Sequence, residues 1–185
     1  MKGFILAATV SHLEKQYGDQ FSSELLQSMN RSVGSVYLSM DDYPDNTLSI
    51  LISKSADILG FSTEKLAKVL GVFLFSELFA FNEKWISQNT NAFDLLRTHD
   101  MALNEIVRMA FPGFLAPSLS CTNISPDILE IDYRSTFLPG DVVEGLIGAM
   151  FIHYGEKFSI ERSASDSEVD YNEKIILRRK PKTIL

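Results

Sequence analysis

Over the first two thirds of the chain, apolar residues recur at spacings of three and four, the pattern of helices with one buried face. Phe4, Ile5, Ala8, His12 and Leu13 share such a face, and Gly18 is a natural stop. A short second helix is predicted over 22–29. Residues 31–45, RSVGSVYLSMDDYPD, break the period with Gly34 and Pro44 and read as a connector. Leu48, Leu51, Ile52 and Leu59 mark a helix ending at Gly60. Ser62 or Thr63 caps the next, with Glu64 in its first turn, where negative charge suits the dipole. Leu66, Val69, Leu70, Phe73 and Leu74 form its predicted buried side. After a Ser/Asn-rich break at 87–91, a further helical pattern runs from about Phe93 to Ala110, with Leu103, Ile106, Val107 and Ala110 as its inward stripe.

The period changes at Pro112 and Gly113. Strands are predicted over 118–123 and 128–135, joined by a turn at Ser125–Pro126–Asp127. In the second, Leu129, Ile131, Tyr133 and Ser135 alternate with Ile128, Glu130, Asp132 and Arg134. A helix follows, capped by Asp141, carrying Val142, Val143, Leu146, Ile147 and Met150, and ending at Gly155. Two more strands, 157–162 and 174–179, flank an acidic loop at 163–173. The fold class is α+β: a helical N-terminal lobe, then a helix-packed four-stranded antiparallel sheet.

The 185 residues suit a single domain, with a helical lobe at about 1–60 and pocket helices plus sheet at about 61–185. The lone Cys121 excludes an internal disulfide framework and any cysteine-cluster zinc site. A net charge of −7 argues against nucleic acid as the main partner. No apolar run approaches the roughly 18 residues of a membrane span, and a cytoplasmic, soluble protein is expected.

Phosphate-binding glycine loops, the HExxH metal motif and calcium-loop motifs are absent from the sequence. His12, His99 and His153 lie far apart, with no metal-ligand spacing. Cys121 reads as a structural thiol in a strand rather than a nucleophile. The basic cluster Lys174, Arg178, Arg179, Lys180 and Lys182 can meet a phosphate or can simply be the solvated face of an edge strand. Tyr133 and Ser135, two apart on one strand face, are either half-buried strand residues or a pair of hydroxyls gripping one anionic group. No nucleophile–base pair can be placed, so the chain reads as a non-enzyme.

The order of landmarks resembles the heme–nitric oxide/oxygen-binding (H-NOX) family. MKG at the start, Tyr17–Gly18, Val36–Tyr37, Tyr43–Pro44–Asp45, LGVFLFSEL at 70–78, FPGFLAPSLSC at 111–121, Tyr133–Arg134–Ser135 and GLIGAMFIHYG at 145–155 carry the resemblance, which spans nearly the whole chain. It implies a b-type heme ligated by a helix histidine, with the side chains of a YxSxR motif holding the propionates. It also implies a signalling partner, such as a histidine kinase or a cyclic-dinucleotide enzyme. The contact surface is expected on the helical lobe and the helix bearing Asn104. Pocket-lining positions implied by the resemblance are Ile5, Phe75, Asn104, Pro117, Tyr133, Ser135, Phe137 and Leu146.

Two decisive positions depart from that pattern. The axial histidine stands eight residues before the proline of the FPG-like segment; counting back from Pro112 gives Asn104. The Arg of YxSxR is replaced by Phe137. His99 precedes Asn104 by five positions, roughly 140° around a helix, and does not face the same way. Three functions follow: a heme-free sensory or regulatory domain binding another apolar small molecule or a protein; a heme-based nitric oxide sensor with a substitute axial ligand; or an interaction module with a collapsed pocket.

Overall fold

The computed structural model describes residues 1–98, 115–164 and 171–180, apart from the side chains of residues 78, 81, 82, 84, 85 and 164. Asn104 and the inward stripe of the helix predicted to reach Ala110 lie outside the described residues, as does Lys182.

The first apolar stripe folds as α1, Gly3–Ser28, and it kinks where the stop is expected: Gly18 has φ 86° and ψ 173°, a conformation open essentially to glycine alone. The connector folds back over the start of α1. Its Asp41 and Ser39 carbonyls accept the N–H groups of Gly3 and Phe4 at 2.9 and 3.1 Å, and Tyr43 N–H donates to Met1 O at 2.9 Å. This close approach explains the glycine in MKG, since a Cβ on Gly3 would lie 2.1 Å from the Leu38 carbonyl oxygen.

Helix α2, Thr47–Leu59, ends on Gly60 in the left-handed conformation, φ 66°. Helix α3, Thr63–Ser87, is capped by Ser62, whose hydroxyl accepts the Lys65 N–H at 3.2 Å. Its core face is Leu66, Ala67, Leu70 and Phe75; Val69, expected inside, is 45% exposed and Phe73 half-buried. One position past the core face is about 100° around the helix, and there α3 fronts a groove against α1 rather than the core. Helix α4 is described over residues 92–98.

Strands β1 (Ser118–Ser125), β2 (Ile128–Ser135), β3 (Lys157–Ala164) and β4 (Tyr171–Lys180) form one antiparallel sheet in the order β1-β2-β4-β3. The predicted alternation holds: Leu129, Ile131, Tyr133 and Ser135 are buried. The acidic loop is shorter than expected, because Ser163 and Glu173 extend the two strands and Glu173 pairs with Arg162.

Helix α5, Gly140–His153, buries residues all round, including Val142, Val143, Leu146, Ile147, Met150 and Phe151. A helix apolar on every side belongs between other elements, and α5 packs closely against α3 while also meeting β3. Asp141 is not its cap: the N-cap is Pro139, without a side-chain cap bond, and Asp141 pairs with Arg162. The α3–α5 crossing is a backbone contact. A Cβ on Gly71 would lie 2.0 Å from Val142 O, and one on Gly145 would lie 2.0 Å from Lys68 O.

Candidate ligand site

The end of β2 carries Tyr133 and Ser135 onto the buried face of the sheet, 0% and 8% exposed. Their hydroxyls are engaged with the turn that follows. Ser135 Oγ accepts the N–H groups of Phe137 at 3.2 Å and Leu138 at 2.9 Å. The Tyr133 hydroxyl donates to the Leu138 carbonyl and is bonded to the Ser135 hydroxyl. A serine hydroxyl offers one donor and two acceptor positions; all three are filled when Ser135 donates to Tyr133. Burial pushes the Tyr133 phenol well above its ordinary range, with the Ser135 bond a smaller opposing effect. The pair therefore staples residues 135–138, and an anion taking Ser135 as its donor displaces an existing bond.

That staple holds Phe137, 2% exposed, and Leu138, 8% exposed, in the core. A guanidinium is expected there from the family motif, and an apolar ring fills the place instead. Of the other expected pocket positions, Phe75 and Leu146 are each 7% exposed and lie in the same core as Tyr133 and Phe137. Phe75 sits one turn beyond Gly71 on α3, 6.2 Å from the Phe79 ring and 5.9 Å from that of His153. Leu146 lies on α5 at the crossing, its backbone nitrogen 2.7 Å from where a Gly71 Cβ would stand. Ile5 is half-buried against the core from α1, and Pro117 is half-buried just before β1.

The basic residues of β4 are largely neutralised within the chain. Lys174 meets Glu130 at 2.8 Å, Arg178 meets Glu161 at 3.5 Å, and Arg179 meets Glu156 at 3.2 Å with its guanidinium 4.5 Å from the centre of the Phe93 ring. Cys121 is half-buried with its thiol 3.6 Å from the Leu96 carbonyl oxygen. His12 stacks on Phe73 at 3.8 Å, and burial lowers its pKa against the opposing pull of Glu77. Among the described residues, no group of three His, Cys, Asp or Glu side chains gathers as a metal site, and no helix is long and apolar enough to cross a membrane.

One cluster is invisible to sequence reasoning. Arg162 on β3 reaches Glu173 on β4 at 2.7 Å, Glu144 on α5 at 2.9 Å, and Asp141 at 2.5 Å; Glu144 also meets Lys68 on α3 at 2.8 Å. Burial works against the Arg162 charge, but its three carboxylates outweigh it and raise the pKa further above its already high value. The cluster ties three elements together at the N-terminal end of α5. Gly140 belongs to it, since a Cβ there would lie 2.0 Å from Glu173 Oε1.

The sequence profile of the haem-NO-binding (HNOB) family matches residues 2–162. Among solved structures, the Fe(II) unliganded H-NOX protein from K. algicida superposes with a TM-score of 0.84 at 16% identity, covering 100% of each chain. A point variant of T. tengcongensis H-NOX gives 0.84 at 18% identity, again over 100% of each chain. The Fe(II)NO state of an H-NOX protein from S. oneidensis gives 0.83 at 19% identity, over 98% of this chain and 100% of that one. No curated protein matches. The structural likenesses show the shared fold, and the profile match runs from the Gly3 contact through the YxS staple to the Arg162 cluster: the chain belongs to the haem-NO-binding, or H-NOX, family of sensor and signalling domains.

Proposed function

We propose that this domain is an H-NOX-fold sensory or regulatory module that has lost the family's hold on heme, and that an apolar small molecule takes the porphyrin's place. Phe137 carries this reading. A heme brings two propionate carboxylates to the end of β2; the side chain at the motif's Arg position is an apolar ring 2% exposed, and the neighbouring hydroxyls are already spent on their own turn. Burying a carboxylate without a partnering cation or donor is costly. On the proximal side the sequence offers the Asn104 carboxamide, a poor iron ligand beside imidazole. These residues do not fit a heme.

By family resemblance the readout is a change of contact with a signalling protein in the cytoplasm, a histidine kinase or a cyclic-dinucleotide enzyme. The test is an absorption spectrum of protein expressed with heme precursor, recorded with and without dithionite and nitric oxide, followed by mass spectrometry of extracted ligand. A spectrum without a Soret band, together with a co-purifying apolar molecule, is the expected result. A strong Soret band that shifts with nitric oxide refutes the proposal and assigns a gas sensor with a substitute axial ligand. A colourless protein with nothing extractable assigns the collapsed-pocket interaction module.

A further inference from the structure

One cation near the end of β2 stands apart. Arg134 faces away from Tyr133 and Ser135, exposed on the outer side of the sheet. Every other described arginine is held within the chain: Arg31 over the Tyr37 ring at 4.3 Å, Arg97 on Asp94 at 2.6 Å, Arg162 on its three carboxylates, Arg178 on Glu161 and Arg179 on Glu156. Arg134 has no such partner among the described residues. Its directly opposed neighbours are neutral, Ser118 on β1 and Asn172 on β4, and opposed side chains on antiparallel strands stand about 5 Å apart at Cβ. The next carboxylate along its face, Asp132, lies 4.0 Å from Lys174. In a chain of net charge −7, this guanidinium is left without an acid.

Arg134 also lines a groove of about 340 Å³ that wraps the end of β2, with Ser118, Thr136 and Tyr171 among its walls. That volume admits a small anion with its attached group. A guanidinium presents a planar fork that matches a carboxylate or phosphate with two parallel hydrogen bonds. We propose that this groove is a binding site for a small oxyanion, a carboxylate or phosphate group, gripped by Arg134 with the Ser118 hydroxyl beside it. The groove ends at Thr136, whose hydroxyl bonds the Asp45 carboxylate of the connector. A bound anion therefore sits two residues from the contact that ties the connector to the sheet. The site does not depend on what fills the core pocket.

The test is a nitrogen–proton correlation spectrum of the whole chain, including arginine Nε–Hε signals. It is titrated with sodium phosphate and separately with sodium acetate, chloride keeping the ionic strength constant. The expected result is a saturable shift of the Arg134 Nε–Hε signal and of the Ser118 and Thr136 amides. Arg134→Gln should abolish it in a protein with unchanged spectral dispersion. Arg134→Lys, which keeps the charge and loses the fork, should weaken binding by about tenfold, the size of one charge-assisted hydrogen bond. Arg178→Gln should leave it intact. Saturation by phosphate alone identifies a tetrahedral anion, and saturation by acetate as well identifies a carboxylate. Shifts that stay linear, that spread equally over all arginines, or that saturate in Arg134→Gln overturn the proposal.

Discussion

Adding a single methyl group at Gly145 should destabilise this domain, against the intrinsic preference of a helix for alanine. The Cβ of Gly145→Ala would lie 2.0 Å from the Lys68 carbonyl oxygen, where ordinary contact begins at 3.4 Å. The obstacle is backbone, so no rotamer change relieves it, and α5 must retreat from α3 by about 1.4 Å. A gap of that order forfeits up to about half of the dispersion energy of each contact across it, and Leu70, Val142 and Leu146 are buried in these two helices. Overpacking costs about 1–3 kcal/mol, and the lost contacts add to it. The propensity gain of alanine over glycine returns only about 1 kcal/mol. The net expectation is a loss of about 2–4 kcal/mol, or about 5–15 °C in Tm for a chain of this length. Gly148→Ala is the internal control: it lies on the same helix, but its Cβ would meet only the Phe158 ring at 3.9 Å. There the propensity term acts alone and Tm should rise slightly. Scanning calorimetry on both variants decides the matter. A Gly145→Ala protein as stable as the parent would refute a backbone-to-backbone crossing. Adding Gly71→Ala should cost less than the sum of the two single variants, because one separation of the helices relieves both clashes.

Tyr133→Phe leaves the Leu138 carbonyl without its donor inside the core, and should cost about 1–3 kcal/mol by urea unfolding; an unchanged midpoint would mean that the turn does not need its staple. Burial works to raise the Glu144 carboxyl pKa, but Lys68 and Arg162 outweigh it and hold the value below the usual one. Its stabilising effect is therefore complete above the unfolded pKa, near 4.5, and is lost as pH falls through the lower folded value. Glu144→Gln should flatten the fall of Tm in that acid window, and an equally steep fall in the variant would remove the cluster from the account. Phe137→Arg alone buries a cation in the place of a ring and should destabilise the domain by several kcal/mol. Combined with Asn104→His it should raise heme affinity, read from Soret absorbance on titration, and a double variant that stays colourless in excess heme would sink the idea that these two residues explain the loss.

Local punctuation is what the sequence makes legible. Gly18 and Gly60 occur where the chain needs backbone that other residues rarely adopt, so they mark the kink in α1 and the end of α2 without reference to the rest of the fold. The alternation along β2 is legible for the same reason, because one face of that strand is buried and the other wet. Val69 and Asp141 mislead because their surroundings are tertiary. Val69 has the right chemistry for a core and fronts a groove, and Asp141 has the right chemistry for a cap and is drawn instead to Arg162, twenty-one positions away. The Arg162 cluster spans three elements with no short spacing to announce it. The close approach at Gly71 and Gly145 is equally silent, since a glycine inside a helical pattern reads as a weakness until the second helix is seen against it.

The hydroxyl pair shows why one half of a binding motif can outlast the other. Were Tyr133 and Ser135 present only to hold an anion, replacing the Arg of YxSxR by Phe137 would leave them with buried, unmet hydrogen-bonding groups. They are met: Ser135 receives the amides of Phe137 and Leu138, and Tyr133 receives the Ser135 hydroxyl and donates to the Leu138 carbonyl. The pair thus has a task in folding that persists whatever occupies the pocket. The third position has no such task, because a guanidinium there serves a ligand's charge and nothing in the turn's own bonding requires it. Meanwhile the α3–α5 crossing and the Arg162 cluster hold the sheet half together through contacts in which no ligand takes part. A fold built this way can exchange its cofactor anchor for an apolar side chain without losing its architecture, and the side chains that change should be those whose only partner was the ligand.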